Sequence, residues 1–314
     1  MKSVGSRNMR EKRLLLREKS GRINASQKLR QMYHPSERKR LMYIRKTASP
    51  APYDSLWEAL ELGKKMPKKP FRIAAVGSGG KTTLLYTLAQ EARERGFSVL
   101  LLPTTHMQLP EKDGVLTGRA EDVMEKLKKD GFAVAGVPVV SPKTAHEPSA
   151  HALSPEIKKI GFPGLETYEK AGAFADLVLV EADGSRRLPL KYPNETEPVI
   201  PEDIDLILSV TGLSALGKDP AKFCHRKELA MEALAKVSSR LSPLSFPSGW
   251  QTITALDMAL LQKSGYLTPL RSRFPSARVI PVWNQADTEE LRQTALSMLE
   301  FLGEKDGLIT CTLS

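Results

Sequence analysis

The stretch FRIAAVGSGGKTTLL, Phe71 to Leu85, decides how the rest of the chain is read. Phe71 to Val76 is an apolar run with the character of a buried strand. From Lys81 onward, Leu84, Leu85, Leu88, Ala89 and Ala92 recur on one helical face until Gly96 stops the pattern. Between strand and helix lies Gly77-Ser-Gly-Gly-Lys-Thr82, which fits the phosphate-loop pattern with Ala75 where a first glycine is common. Glycines there let successive backbone N–H groups turn toward phosphate oxygens, and the helix N-terminus adds its partial positive charge. Gly77, Ser78, Gly79, Gly80, Lys81, Thr82 and Thr83 are therefore the expected nucleotide-phosphate cradle. Lys81 would reach the β and γ oxygens, and the Thr82 hydroxyl would hold Mg²⁺.

Working outward, the chain alternates short apolar runs with amphipathic stretches, the pattern of an α/β fold with a doubly wound, mostly parallel sheet. Ser55–Leu62 reads as a leading helix. Strands are expected at Phe71–Val76, Phe97–Leu102, Phe132–Val137, Asp176–Val180, Ile204–Val210 and Arg278–Trp283. Helices are expected at Lys81–Arg95, Glu121–Lys129, Glu228–Val237, Thr254–Lys263 and Thr288–Leu302. One P-loop NTPase-like domain over 53–314 accounts for these elements.

The net charge of +11 is concentrated before that domain. Met1 to Lys46 holds 15 Lys and Arg against Glu11, Glu18 and Glu37, so the remainder is close to neutral. Few large apolar residues and breaks at Gly21, Pro35 and Pro50 make residues 1–52 a basic extension expected to be disordered. Its aromatic interleaving is limited to Tyr33 and Tyr43, so nucleic acid is not the favoured partner. A solvated tail, a targeting-like extension or a misassigned start fits it better. No apolar run approaches the ~20 residues of a membrane span, and Leu14–Leu16 is too short for a signal-peptide core. Cys224 and Cys311 form neither a metal pair nor a disulfide framework by spacing. A cytoplasmic protein without a membrane partner is expected.

Three further motifs carry candidate chemistry. In DLVLVEADG, Asp176 to Gly184, a strand runs into Glu181 and Asp183, whose spacing puts both on one face of a continuing strand. Such acids suit Mg²⁺ or the orientation of a water, so both are candidate metal-binding and catalytic residues. In PVWNQAD, Asn284 and Asp287 resemble the guanine-reading Asn-Lys-x-Asp pattern, with Gln285 replacing Lys; capping of the next helix is the competing explanation. Thr104, in Thr104-Thr-His106 after the second strand, could help hold the metal at the carboxyl edge of the sheet. Arg186, Arg187 and Lys191 form a basic cluster after Gly184 that could bind an anionic substrate, with Arg186 a catalytic candidate. His225-Arg226 could supply a cation or simply begin a helix.

Taken in order, SLWEAL, VGSGGKTTLL, TTHM, LVEADGSRRLPLK, EPVIP, the Cys224-His-Arg triplet and RVIPVWNQAD resemble the YqeC family, described as selenium-dependent hydroxylase accessory or selenium cofactor biosynthesis proteins. The LVEADGSRRLPLK stretch is much more specific than the loop itself. Thr196 stands where the family pattern has a His, and the basic extension has no counterpart in it. The resemblance implies a protein that helps mature molybdenum hydroxylases carrying a labile selenium, with such an enzyme or its cofactor machinery as partner. The expected cofactors are GTP or ATP with Mg²⁺, and a GTPase is favoured over an ATPase. A small-molecule kinase or ATP-dependent ligase, and a nucleotide-switched binding module without catalysis, are the alternatives.

Overall fold

In the computed structural model, residues 43–46, 50–66, 70–139, 158–241 and 250–312 are described. The strands are β1 (Tyr43–Lys46), β2 (Pro50–Tyr53), β3 (Phe71–Gly77), β4 (Val99–Pro103), β5 (His106–Gln108), β6 (Gly114–Val115), β7 (Phe132–Ala135) and β8 (Val137–Val139). They continue with β9 (Lys159–Gly161), β10 (Leu177–Glu181), β11 (Leu190–Lys191), β12 (Leu206–Gly212), β13 (Cys224–His225), β14 (Arg278–Asn284) and β15 (Gly307–Thr310). The helices are α1 (Leu56–Ala59), α2 (Leu62–Lys65), α3 (Lys81–Glu94), α4 (Ala120–Asp130), α5 (Leu165–Phe174), α6 (Pro220–Phe223), α7 (Lys227–Leu241), α8 (Ala255–Gln262), α9 (Thr268–Arg273) and α10 (Glu289–Leu302).

The main sheet runs β2-β1-β15-β14-β12-β3-β10-β4-β7-β6. All pairings from β15 to β6 are parallel, and only β1 and β2 add antiparallel edges. Parallel strands buried on both faces require continuous apolar sequence, which is what β10 shows. Its Leu177 and Leu179 join the core under α3, with Leu84, Leu85 and Leu88. Val178 and Val180 point the other way, into the core with Tyr168 and Ala171 of α5. Each such fully buried Leu or Val contributes about 1.5–3 kcal/mol. Burial therefore fixes the ends of β3, β10, β12 and β14 side by side at one edge, which is where the polar motifs lie.

Several expectations are corrected here. The extension expected through residue 52 contributes β1 and β2, and β1 pairs with β15 from Tyr43↔Thr310 to Lys46↔Gly307. The rest of the extension, residues 1–42 and 47–49, lies outside the described residues. The single helix expected at Ser55–Leu62 is two short ones, because Glu61 adopts a left-handed backbone (φ 56°). The carboxylate of Glu91 on α3 accepts from Ser55 Oγ and from the Leu56 and Trp57 amides, at 2.7–3.0 Å, tying the first of these to α3. The strand expected over Phe132–Val137 splits: Val137 belongs to β8, in a separate three-stranded sheet ordered β5-β9-β8. Among the described residues no helix is long and apolar enough to cross a membrane.

Candidate functional site

At the end of β3 the chain turns through Gly77, Gly79 and Gly80, all with positive φ, and enters α3 at Lys81. All three glycines are dictated by close approach, a Cβ on Gly77 falling 2.2 Å from the Val210 carbonyl oxygen. A Cβ on Gly79 would lie 2.5 Å from the Gly212 backbone, and one on Gly80 would lie 2.1 Å from the Asn284 amide nitrogen. No side chain caps α3, since its N-cap is Gly80, so the first-turn amides are left for an anion. The amides of Gly77 and Ser78 are not part of that set. Gly77 N donates to Asp183 Oδ2 at 3.0 Å, and Ser78 N to the Val210 carbonyl at 2.8 Å. The cradle is therefore narrower than the sequence suggests, running from Gly79 into the first turn.

Lys81 is buried, and its Nζ donates to the Gly77 carbonyl at 2.8 Å. Burial pulls its pKa below the usual lysine value, against the opposing pull of the Glu181 and Asp183 charges. The Thr82 hydroxyl donates to Glu181 Oε2 at 2.6 Å. Burial pushes the Glu181 carboxyl upward, and Lys81 and Thr82 pull it back only in part. A divalent cation on that carboxylate would reverse the direction. One carboxylate and one hydroxyl beside a phosphate cradle are hard oxygen donors of the kind Mg²⁺ takes when phosphates and waters complete its shell, so these two residues fit the ion.

Asp183 and Thr104 do not fit it, which corrects both expectations. β10 ends at Glu181, so the alternation that would have aligned Asp183 with it stops. Asp183 is fully buried, its Oδ2 accepting from Gly77 N and from Tyr266 OH at 2.8 Å and its Oδ1 paired with Lys191 Nζ. It is a structural hub with no oxygen turned to a ligand site. The Thr104 hydroxyl donates to the Val199 carbonyl at 2.5 Å, bracing the segment after the cis Glu197–Pro198 bond. Among the described residues no group of three or more His, Cys, Asp and Glu is arranged to hold a metal.

The basic cluster divides in the same way. Lys191 is buried between Asp183 and Glu197, with Nζ 2.6 Å from Glu197 Oε2. Arg226 holds the same Glu197 through both guanidinium nitrogens, NH2 to Oε1 at 3.0 Å. Burial alone would raise the Glu197 carboxyl, but the hydrogen bonds from Arg226 and Lys191 outweigh it and hold the pKa at about 2. A carboxyl lowered on folding stabilises the fold fully above its unfolded value of 4.5, and that contribution is lost as pH falls toward about 2. Glu197→Gln is therefore expected to lower stability at pH 7, with the gap to wild type closing as urea unfolding is followed from pH 4.5 downward. A pH-independent gap would exclude the charged contact.

Arg186 and Arg187 are exposed. Arg187 donates to Gln108 Oε1 at 3.1 Å. His225 on β13 lies beside Lys191 in the β11–β13 pair, while His106 sits exposed on β5.

At the other side of the loop, Asn284 is buried and donates to the Gly79 carbonyl at 2.7 Å, while accepting from Thr310 Oγ1 at 2.6 Å. Helix capping does not explain this motif, because Thr288 caps α10. Asp287 accepts from Thr312 N at 2.6 Å and Thr312 Oγ1 at 2.7 Å, and remains exposed. Gln285, where the guanine-reading pattern has Lys, turns back to accept from Ser214 Oγ at 2.6 Å. Sequence reasoning missed Tyr266, carried on a single π-helical turn (Lys263–Leu267), and the partners Thr310, which ends β15, and Thr312, just beyond it, which carry no periodic signal.

These features define a class: an α/β protein whose central parallel strand runs through a glycine-rich, lysine-bearing loop into a helix, beside a strand ending in a carboxylate. The sequence model described as YqeC protein matches residues 73–228, which span β3, the loop, β10 and the arginine-bearing segment. The chain belongs to the YqeC family. It is 31% identical over 158 residues to a protein of Escherichia coli (strain K12) recorded as "Uncharacterized protein YqeC". That match covers 50% of this chain and 57% of the relative, so it spans little more than half the relative's length.

Proposed function

We propose that the chain is a Mg²⁺-dependent nucleotide-binding and nucleotide-hydrolysing accessory protein, with GTP ahead of ATP, that serves the maturation of selenium-dependent molybdenum hydroxylases. The observation that carries the nucleotide reading is the Thr82–Glu181 contact of 2.6 Å beside the uncapped N-terminus of α3 and the buried Lys81. The maturation role rests on the family likeness alone.

In this reading the amides from Gly79 to Thr83 hold the phosphates and Lys81 meets the β and γ oxygens. Thr82 and Glu181 hold the metal ion, which when bound neutralises the charge that develops on the transferring phosphoryl group. The dry setting of Lys81 strengthens each of these contacts relative to water. Asn284 fixes the loop through Gly79, and Asp287, steadied by Thr312, offers a carboxylate to a base edge carrying paired N–H groups. Guanine presents such an edge and adenine does not, which is why GTP leads.

A competition titration tests the base preference. Wild type is expected to bind GTP at least about tenfold more tightly than ATP, as expected for a lost charged hydrogen bond, and Asp287→Ala is expected to erase the difference. ATP preferred by wild type would turn the reading toward a kinase or ligase.

A further inference from the structure

Six non-glycine residues in the described chain have a left-handed backbone, and three of them are arginines of one region: Arg186 (φ 50°), Arg187 (φ 63°) and Arg226 (φ 63°). Arg186 and Arg187 are the two central residues of a turn closed by Leu188 N to Ser185 O at 3.0 Å. A turn with both central residues at positive φ ordinarily takes Asn and Gly. Two arginines there store strain, and such strain persists where a ligand clamp needs it.

The turn is strapped to the phosphate loop. Ser78 Oγ donates to the Pro189 carbonyl at 2.9 Å, and Gly212 N donates to the same oxygen at 2.9 Å. On the far side, β11 pairs with β13, setting Lys191 opposite His225 and next to Arg226. The region holds four cations, Arg186, Arg187, Lys191 and Arg226, against two carboxylates, Asp183 and Glu197, an excess of two positive charges. Lys191 and Arg226 are spent on those carboxylates. Among the described residues the Arg186 guanidinium has no partner, and Arg187 meets only the neutral Gln108. Burial first, and then the charges of Arg226, Lys191 and Arg186, hold His225 below the usual histidine value, so at neutral pH it stays an uncharged neighbour.

We propose that the Arg186-Arg187 turn, with Arg226 and His225 behind it, is a binding site for a phosphoryl-type dianion on a second ligand, distinct from the nucleotide cradle. The planar guanidinium forks match the oxygens of such a group, and its charge matches the excess. The groove of about 1140 Å³ beside α3 is the other candidate for a second ligand, but Glu94, Glu111, Asp113 and Asp130 line it, and they disfavour an anion. The proposal extends the nucleotide reading by naming the class of second substrate, and it can be tested without nucleotide.

Thermal unfolding of the full chain is followed with inorganic phosphate, and with chloride at matched ionic strength, in the Lys81→Ala background so that the loop site is weakened. Phosphate is expected to raise Tm there, and Arg186→Gly to weaken its apparent affinity by about tenfold or more. Glycine also relieves the left-handed strain, so Arg186→Gly without phosphate is expected to melt at or above the temperature of its parent. No phosphate effect in Lys81→Ala, a phosphate effect that Arg186→Gly leaves intact, or a lower melting temperature for Arg186→Gly alone each overturns the proposal. Loss of nucleotide binding by wild type would instead count against the nucleotide reading.

Discussion

Lys81→Ala is expected to weaken binding of Mg²⁺-bound GTP by about a hundredfold while the fold survives. The ammonium group is already desolvated and is held 2.8 Å from the Gly77 carbonyl, so it meets an incoming phosphate with little reorganisation. A hydrogen bond to a charged group contributes about 1.5–3 kcal/mol, which is roughly a 10–150-fold change in affinity. Because the ammonium can meet both β and γ oxygens, the upper part of that range applies. The fold should hold, since the Leu84, Leu85 and Leu88 face that anchors α3 is untouched. Fluorescence titration with a labelled nucleotide and a urea melt of the same sample separate the two effects. A variant that binds like wild type would remove Lys81 from the site.

The second large effect is structural. Lys191→Met is expected to destabilise the protein by about 3–5 kcal/mol, because it strands the fully buried Asp183 carboxylate. Tyr266 OH and Gly77 N remain as donors to Asp183, but neither carries charge. Burial and the Asp183 charge push the Tyr266 phenol well above its usual value, so it stays a donor throughout the accessible pH range. Adding Asp183→Asn to Lys191→Met keeps an acceptor for both donors and removes the lone charge, and part of the loss should return. Urea denaturation of the two single variants and the double variant measures this directly. A loss below about 1 kcal/mol for Lys191→Met would mean that water reaches the pair.

The segment from β3 to α3 was legible because three independent signals agree on it: an apolar strand, glycines at the turn and a helical period behind them. The ends of β10, β12 and β14 were legible for a related reason, since strands buried on both faces leave continuous apolar runs. The β1–β2 hairpin was hidden by its composition: Pro50 and Pro52 sit within β2, and the pairing partner of β1 is β15, at the other end of the chain. Helix α5 escaped because Leu165 and Phe174 are exposed large apolar residues that blur its period, while its buried face is partly the small Ala171 and Gly172.

Within the site, Thr82 and Glu181 could be paired from sequence, since each stands at the end of an element that reads clearly. Asp183 could not be assigned, because the period-two argument assumes that β10 continues and it stops at Glu181. What captures Asp183 is Tyr266, brought in from a π-helical turn by tertiary packing that no local pattern encodes. Lys191 was similarly grouped with Arg186 and Arg187 by proximity in sequence, whereas burial sorts it into the hub and leaves the two arginines outside.

The full chain carries β1 and β2 as part of its sheet, so it is the proper object for the deciding measurement. Labelled GTP is titrated against it with and without Mg²⁺, and phosphate release is followed in the same samples. Saturable binding that Mg²⁺ tightens, with slow release that Thr82→Ala and Glu181→Gln each reduce, is the predicted result. No saturable binding of GTP or ATP under either condition would contradict the account, and would leave the glycine-rich loop as a structural turn.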